Sequence, residues 1–362
     1  MDIKFEVIWE TDLNEYLGKP VPEEALPPFD LYPVQVGSKE HSDIIAKQWN
    51  KWSEDIPNLR KAREKFRYPD LNSVSVGPDG SIFVGDAGRA AIWRLNPDGR
   101  VADSIVCKTT PEQRKAFLAN KKGFQPEFFS SVDNLQVDKD GIIFFFDKVH
   151  SRVLRMTSRG RLTAHPASSS SRFTVDHMGR LWLSQWNGSI ERLEFPEDEP
   201  PVVTSGLYWR QSEEGNRHHL DGGVHMVPGK DGLMHAVPDA APFRLLTFEG
   251  QRWTSRIVRD PHCDQECDHG KIRPRPKQEG FSFSPLLLGL TIDRRRDRLF
   301  ATNNGGGIDV LDSLGNYLGR TQPRYGQMHH STFDSEGFLY DVDSSLSSRK
   351  SRIVKYAVSV VQ

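Results

Sequence analysis

The sequence is poor in cysteine, has no excess of either charge and contains no long apolar run. Its 362 residues include 3 Cys, 48 Lys and Arg, and 49 Asp and Glu, for a formal net charge of −1 at pH 7. Three cysteines in a chain of this length exclude a disulfide framework. The balanced charge argues against a nucleic-acid or anionic membrane partner, because both are recognised through an excess of positive charge. No apolar run approaches the roughly 20 residues that a membrane span requires.

The N-terminus and the basic runs carry little targeting information. Residues 1–6 lack the charged-then-apolar layout of a signal peptide, so we expect a cytoplasmic protein. Two short basic runs, residues 271–277 and 294–296, are offset by acidic residues elsewhere. We expect both runs to be solvated loop charge.

A repeated strand pattern is the most informative feature of the chain. A β-type stretch, a Gly-centred tight turn and a second β-type stretch recur six times, roughly every 40 to 60 residues, and a third stretch usually follows. The clearest copy spans residues 72–86 and turns at Pro78-Asp79-Gly80. Alternating strands joined by Asp-Gly turns are typical of radially repeated antiparallel sheets. The pattern predicts an all-β protein, a six-bladed β-propeller of four-stranded antiparallel blades.

The ends of the chain are expected to close the ring. The last copy shows three strands only, and the N-terminal stretch from Ile3 to Trp9 alternates at period two. We expect residues 1–9 to supply the outer strand of the last blade, because closure removes exposed sheet edges.

The repeat spans residues 69–362, and three segments within or before it do not follow its pattern. Residues 10–68 are rich in Pro, charge and Trp, and are expected to form an irregular, partly helical extension packed on the propeller. A short helical insertion is predicted at about 110–123, either a buttress on the rim or a lid over the channel mouth. A long loop is predicted at about 260–285.

The innermost strand of each blade lines the channel, and its early residues lie near the mouth. Counting back five positions from each turn gives Asn72, Asp133, Ser171, Leu288 and His329, and in blade four, with an extra residue near its turn, Asp221 or Gly222. Counting back four gives Ser73, Asn134, Arg172, Gly289 and His330. Converging Asn, Asp and His side chains suit a divalent cation. The alternative is structural hydrogen bonding around a water-filled channel.

Histidines are concentrated in or near blades four and six. They are His218, His219, His225, His235, His329 and His330. Neutral imidazole is the commonest metal ligand, and histidine is the usual general base near pH 7. Each of them alone also fits a structural role.

The repeat resembles a known family. The pattern of a strand, Asp-x-x-Gly, a strand ending in Asp and then Arg/Ile-x-Arg-Leu resembles the NHL-type and gluconolactonase/regucalcin-like six-bladed β-propellers, over roughly residues 69 to 358. The resemblance implies a catalytic metal held by an acidic residue together with Asn and Asp at blade starts. Val132-Asp133-Asn134 is similar to that Asn-Asp step with the order exchanged, and the first-blade Glu has no counterpart. The NHL-like amidating lyases imply a zinc triad instead, for which His219, His225 and His330 are candidates.

One further cluster lies in the long loop. His262, Cys263, Cys267 and His269 fit a local zinc site, a disulfide, or two ordinary surface cysteines. No fingerprint for a nucleotide or flavin cofactor is present.

These observations predict a small-molecule enzyme with its site at the channel mouth. A divalent metal (Ca, Zn or Mg) held by Asn72, Asp133, Asp221 and His329 would polarise a carbonyl group and activate water. His219 and His330 would move protons, and Arg172 would orient an acidic substrate. Hydrolysis of a lactone or ester, or a related lyase or isomerase step, fits this equipment.

A non-catalytic function is the alternative. The propeller would then be a binding module whose face loops hold a peptide, glycan or protein partner. Such a module has no need for convergent Asp, Asn and His side chains at the channel mouth.

Overall fold

The computed structural model describes the strands of the repeat and the connections next to them. The described residues are 2–17, 69–106, 129, 131–148, 151–167, 172–185, 189–195, 201–208, 224–229, 233–238, 244–249, 252–257, 287–303, 308–321, 331–343 and 351–361. Within these ranges one short helix occurs, α1 (Leu13–Tyr16). None of the described helical structure has the length and apolar character of a membrane span.

The described strands form six four-stranded antiparallel sheets, which we number in chain order. Sheet 1 consists of β2 (Leu71–Val76), β3 (Ile82–Asp86), β4 (Ala91–Leu95) and β5 (Val101–Val106). Sheet 2 consists of β6 (Asp133–Val137), β7 (Ile143–Asp147), β8 (Arg152–Met156) and β9 (Leu162–Pro166). Sheet 3 consists of β10 (Arg172–Val175), β11 (Leu181–Ser184), β12 (Ser189–Glu194) and β13 (Val202–Tyr208).

The remaining three sheets follow the same order, except that the last one takes in the N-terminal strand. Sheet 4 consists of β14 (Val224–Pro228), β15 (Met234–Pro238), β16 (Arg244–Glu249) and β17 (Arg252–Ile257). Sheet 5 consists of β18 (Leu287–Asp293), β19 (Arg298–Asn303), β20 (Ile308–Asp312) and β21 (Tyr317–Thr321). Sheet 6 consists of β22 (Thr332–Phe333), β23 (Phe338–Asp343), β24 (Arg352–Val361) and β1 (Asp2–Asp12).

The Asp-x-x-Gly motif closes the turn after the first strand of a sheet. After β6, Asp138 Oδ1 accepts hydrogen bonds from the backbone N–H groups of Asp140 and Ile142, both at 2.9 Å. Gly141 has a φ of 75°, in the left-handed region that glycine adopts without the strain of a Cβ atom. Asp176 and Asp334 accept the corresponding bonds in sheets 3 and 6. The motif is therefore a hairpin cap, in which a carboxylate satisfies turn N–H groups that no strand can reach.

The six sheets form a closed ring. The first strand of each sheet contacts the first strand of the next, and β22 of sheet 6 contacts β2 of sheet 1. Six clusters of buried apolar side chains lie between neighbouring sheets, one at each junction of the ring. The molecule is a β-propeller of four-stranded antiparallel blades, as the repeat predicts.

The N-terminal strand completes sheet 6. β1 pairs with β24 in antiparallel register from Asp2 opposite Val361 to Asp12 opposite Arg352, three residues beyond the predicted end. Leu13 N–H then donates to the Ser351 carbonyl at 3.0 Å. Closure by the N-terminal strand is confirmed. Residues 18–68 of the predicted extension lie outside the described residues. So do the predicted helical insertion and the long loop with its Cys and His residues.

Candidate functional site

A cavity of about 180 Å³ lies along the axis of the ring and is lined by all six inner strands, β2, β6, β10, β14, β18 and β22. Two positions before the turn, five of these strands carry a hydroxyl or an amide side chain: Ser75, Gln136, Thr174, Thr291 and Thr332. The strand of sheet 4 carries Val227 at this position. Each inner strand is also the edge of its sheet, so its backbone N–H and C=O groups need partners from the channel side.

Side chains of one inner strand satisfy the backbone of the next. Ser75 Oγ on β2 accepts from the Val137 N–H on β6 at 3.0 Å. Gln136 on β6 then reaches β10, where its Oε1 accepts from Val175 N–H at 2.9 Å and its Nε2 donates to the Phe173 carbonyl at 3.1 Å. These bonds hold the first three inner strands at a defined spacing around the axis.

The structure brings Asn72 and Asp133 together at the starts of β2 and β6, although neither is among the described residues that line the cavity. Both are half-buried, and Asn72 Nδ2 donates to Asp133 Oδ1 at 2.6 Å. Asn72 Oδ1 accepts from Ser73 Oγ at 3.0 Å, and Asp133 Oδ2 accepts a short hydrogen bond from Ser131 Oγ. The two serines, which the sequence analysis did not single out, fix the orientation of the amide and the carboxylate.

The surroundings of Asp133 are acidic. Burial is the main cause that raises the pKa of its carboxyl group, and the nearby carboxylates of Asp70 and Asp147 raise it further. The hydrogen bond from Ser131 and the charge of Lys148 act in the opposite direction. Asp147 is itself balanced by the buried Arg152, which donates to Asp147 Oδ2 at 3.1 Å, so the excess of negative charge near Asp133 is smaller than the three carboxylates alone suggest.

β-Bulges occur at this level in three of the six inner strands. The strand pairing shifts between Leu71 and Ser73, between Asp133 and Gln136, and between Leu287 and Gly289. Asn134 lies inside the second shift and has a φ of 46°, which is uncommon for a residue other than glycine. Bulges redirect side chains, so counting by twos along a strand fails at this mouth.

Arg172 is on the channel lining, as one of the two predicted registers requires. It is the first residue of β10 and is half-buried. Arg294, which the sequence analysis assigned to solvated loop charge, also lines the cavity. It follows the last residue of β18 and donates from Nε to the Pro228 carbonyl at 3.2 Å. Nothing in the Arg294-Arg295-Arg296 run shows which arginine turns inward.

The register of sheet 4 differs from the prediction. Its turn runs from Gly229 to Leu233, and Pro228 pairs with Met234 just as Val76 pairs with Ile82 in sheet 1. The expected extra residue near this turn is therefore absent, and the placement of Asp221 or Gly222 at the fifth step is wrong. Val224 occupies that step and His225 the fourth, where His225 lines the cavity.

Four other predicted site residues lie outside the described part of the chain: His219, Asp221, His329 and His330. Within the described ranges, no group of three or more His, Cys, Asp or Glu side chains is placed to hold a metal ion. The described half of the predicted metal site is the pair of oxygen donors on Asn72 and Asp133.

Comparisons with known proteins point to the same architecture. No family model matches the chain. A gluconolactonase from Zymomonas mobilis is 35% identical over 83 residues, which are 23% of this chain and 19% of the relative. The match thus spans about a fifth of that relative's length.

Two solved structures are similar to this chain over most of their length. A gluconolactonase from Xanthomonas campestris has 14% identity and a TM-score of 0.50, covering 80% of this chain and 86% of that chain. A catalytically inactive virginiamycin B lyase from Staphylococcus aureus, solved with quinupristin, has 13% identity and a TM-score of 0.50, covering 81% and 96%. At these identities the likeness concerns the fold, and it confirms the predicted resemblance to gluconolactonase-like and NHL-like propellers.

Proposed function

We propose that this protein is a small-molecule enzyme whose active site lies at the channel mouth, around Asn72 and Asp133. The observation that carries the proposal is the contact between these two side chains, which start different sheets and meet at 2.6 Å. Burial raises the pKa of Asp133, which means that its charged form is destabilised in the folded protein. Carboxyl groups with shifted pKa values are concentrated at functional sites, so Asp133 supports a site more than a purely structural channel.

The donor set fits a divalent cation. Asn72 Oδ1 and the two oxygens of Asp133 are hard ligands of the kind that Ca²⁺ and Mg²⁺ prefer. The carboxylate of Asp70 adds negative charge beside Asp133, whereas the charge of Asp147 is already balanced by Arg152. His329 is proposed to complete the ligand set, as the sequence predicts.

A bound divalent cation would act as a Lewis acid toward a carbonyl oxygen and would lower the pKa of a water molecule. The protein groups would then bind and orient. Ser131 and Ser73 hold Asp133 and Asn72 in place through the hydrogen bonds described above. Arg172 would orient an acidic substrate, because its guanidinium matches two carboxylate oxygens. His219 and His330 are the proposed groups that accept and return protons.

Hydrolysis of a lactone or ester is the reaction that these side chains and a bound cation fit best, and a related lyase or isomerase step uses the same groups. The local sequence similarity to a gluconolactonase supports the lactone. The substrate is proposed to be small and acidic.

Metal analysis of the purified protein tests the proposal. We expect about one divalent metal per chain, and we expect Asp133→Asn and Asn72→Ala to lose it while circular dichroism shows the fold intact. Activity in a screen of lactones and esters should fall by about two to four orders of magnitude in the same variants. Asp140→Asn is the matched control, because Asp140 lies just beyond the same strand, is exposed and has Lys139 as its ion-pair partner among the described residues.

Two outcomes would contradict the proposal. Metal that survives both substitutions would place the ion elsewhere in the chain. Absence of metal together with absence of turnover would favour the alternative, a propeller that binds a peptide, glycan or protein on its face loops.

A further inference from the structure

The channel cavity carries positive charge that no described carboxylate in its lining balances. Twenty-two residues line it, and among these described residues Arg172 and Arg294 are charged while none is Asp or Glu. Arg172 starts β10 at the mouth end, and Arg294 follows β18 at the turn end. The cavity therefore has a guanidinium group toward each end.

Arg172 presents an unused donor edge. Its Nε is buried and has no hydrogen-bond partner within the described part of the molecule. No ion pair joins Arg172 to any described carboxylate. A buried N–H of a charged group that lacks a partner is costly, and a ligand oxygen at that place removes the cost.

Arg294 donates to the Pro228 carbonyl, and its remaining guanidinium donors have no described carboxylate within reach. Arg294 is exposed to solvent at the edge of the cavity, although nearby protein atoms partly desolvate its guanidinium. This partial desolvation lowers the pKa of its guanidinium, and no acidic neighbour offsets the effect. Arg294 is thus a second cation on the cavity lining that has no counter-charge among the described residues.

We propose that this cavity is a binding site for a small oxyanion, either a carboxylate or a phosphate group. The planar guanidinium of Arg172 would bind two of its oxygens, and Arg294 would supply long-range attraction from the other end. The planar edge of a guanidinium matches carboxylate and phosphate geometry, which selects an oxyanion over a spherical ion. Ser75 lines the same cavity and already accepts from Val137 N–H, so its hydroxyl proton is left to donate to the ligand.

The size of the cavity limits the ligand. A volume of about 180 Å³ is below the range of about 300–1,000 Å³ that pockets for drug-sized ligands occupy. A free ion of a few atoms fits, as does the anionic end of a longer molecule that enters from the mouth. The inference extends the role proposed above for Arg172 in orienting an acidic substrate, but anion binding can be measured without the metal and without turnover.

Isothermal titration calorimetry of the metal-free protein with inorganic phosphate and, separately, with acetate tests the inference. We expect one ligand per chain for at least one of the two anions, and their relative affinities identify the anion class. Arg172→Gln should weaken binding at least about tenfold, because it removes a charge-assisted pair. Arg294→Gln should weaken it about three- to tenfold, because it removes charge without removing the donor edge.

Arg295→Gln is the matched control. Arg295 is the next residue on the same turn, is exposed, does not line the cavity and donates to the Glu336 carbonyl at 2.7 Å. Its replacement should leave binding unchanged. If Arg172→Gln does not fold, Arg172→Lys keeps the charge and removes the Nε edge. Failure of the wild type to bind either anion would overturn the inference, and so would equal binding by wild type and both cavity variants.

Discussion

Asp341 is a charged residue at a place where the rest of the ring is apolar. By strand pairing, the equivalent residues of the other five sheets are Val84, Phe145, Leu183, Ala236 and Ala301, all fully buried. Asp341 is itself 1% exposed, and its Oδ1 has no hydrogen-bond partner among the described residues. Burial, and then the charge of Asp343, raises the pKa of the Asp341 carboxyl well above 3.8.

Replacement of Asp341 by Val, the residue at this place in sheet 1, should stabilise the protein. The folded state holds the Asp341 proton more tightly than the unfolded chain does. The contribution of this proton to the free energy of unfolding is therefore fully present below about pH 4 and is lost as pH rises to the raised pKa. The gain from Asp341→Val should therefore grow with pH above about 4 and reach about 1–3 kcal/mol near pH 8. Urea unfolding from pH 4 to 8 measures it.

An exposed turn carboxylate is the control for this series. Asp140→Asn should change the free energy of unfolding by less than about 0.5 kcal/mol at every pH. A variant at position 341 that is less stable than wild type at pH 8 would mean that the carboxylate has a compensating partner.

At the scale of elements, the inner strands are held by side-chain bonds across sheet boundaries. Gln136 makes three such bonds from β6 to β10, to the Phe173 carbonyl, to the Thr174 hydroxyl at 3.1 Å and to Val175 N–H. Its amide replaces the strand partner that an edge strand lacks. Sheets 2 and 3 are therefore joined at the channel by polar contacts as well as by the apolar cluster behind them.

Gln136→Ala should lower the free energy of unfolding by about 1–3 kcal/mol, because Val175 N–H loses its side-chain partner and the Phe173 carbonyl keeps only the bond from Asn134 Nδ2. Guanidinium chloride unfolding followed by tryptophan fluorescence measures the change. Thr174→Val removes only one of the three bonds and should cost less than Gln136→Ala. Equal stability of Gln136→Ala and wild type would show that channel water replaces the amide fully.

The same elements show how far the sequence predicts the structure. The strands and their turns follow from the Asp-Gly spacing, because a hairpin cap such as Asp138 is a local interaction between residues two and four apart. The pairing of Asn72 with Asp133 follows from their equal step in two repeats. The orientation of the side chains around this pair cannot be predicted in the same way, because the bulges near the starts of β2 and β6 break the alternation on which counting depends.

The channel cations mark a second limit of prediction from sequence. Arg294 and Arg295 are neighbours in one basic run, and a local pattern does not distinguish the one that lines the cavity from the one that faces solvent. Which arginine turns inward depends on the Pro228 carbonyl of another sheet, 66 residues away. Contacts across the ring of this kind leave no local trace in the sequence.

At the scale of the whole molecule, β1 closes the ring. It gives sheet 6 its outer strand, and Thr11 Oγ1 donates to the Gly99 carbonyl of sheet 1 at 2.7 Å. From sheet 5, Thr321 Oγ1 donates to the Ile3 carbonyl at 2.9 Å. The strand thus contacts both neighbours of its own sheet, and without it the long edge of β24 would be open to other chains.

Removal of residues 1–12 should destabilise the protein by several kcal/mol and cause self-association that increases with concentration. Full burial of Ile3 alone contributes about 1.5–3 kcal/mol, and Phe5 and Val7 pack against the same apolar cluster. Thermal unfolding and light scattering after size exclusion measure the two effects. A synthetic peptide of residues 1–12 should restore both the melting temperature and the monomeric state. The control is Thr11→Val in the full chain, which removes only the bond to Gly99 and should leave the protein monomeric. A truncated protein that stays monomeric at an unchanged melting temperature would show that pairing of β1 with β24 does not hold the ring closed.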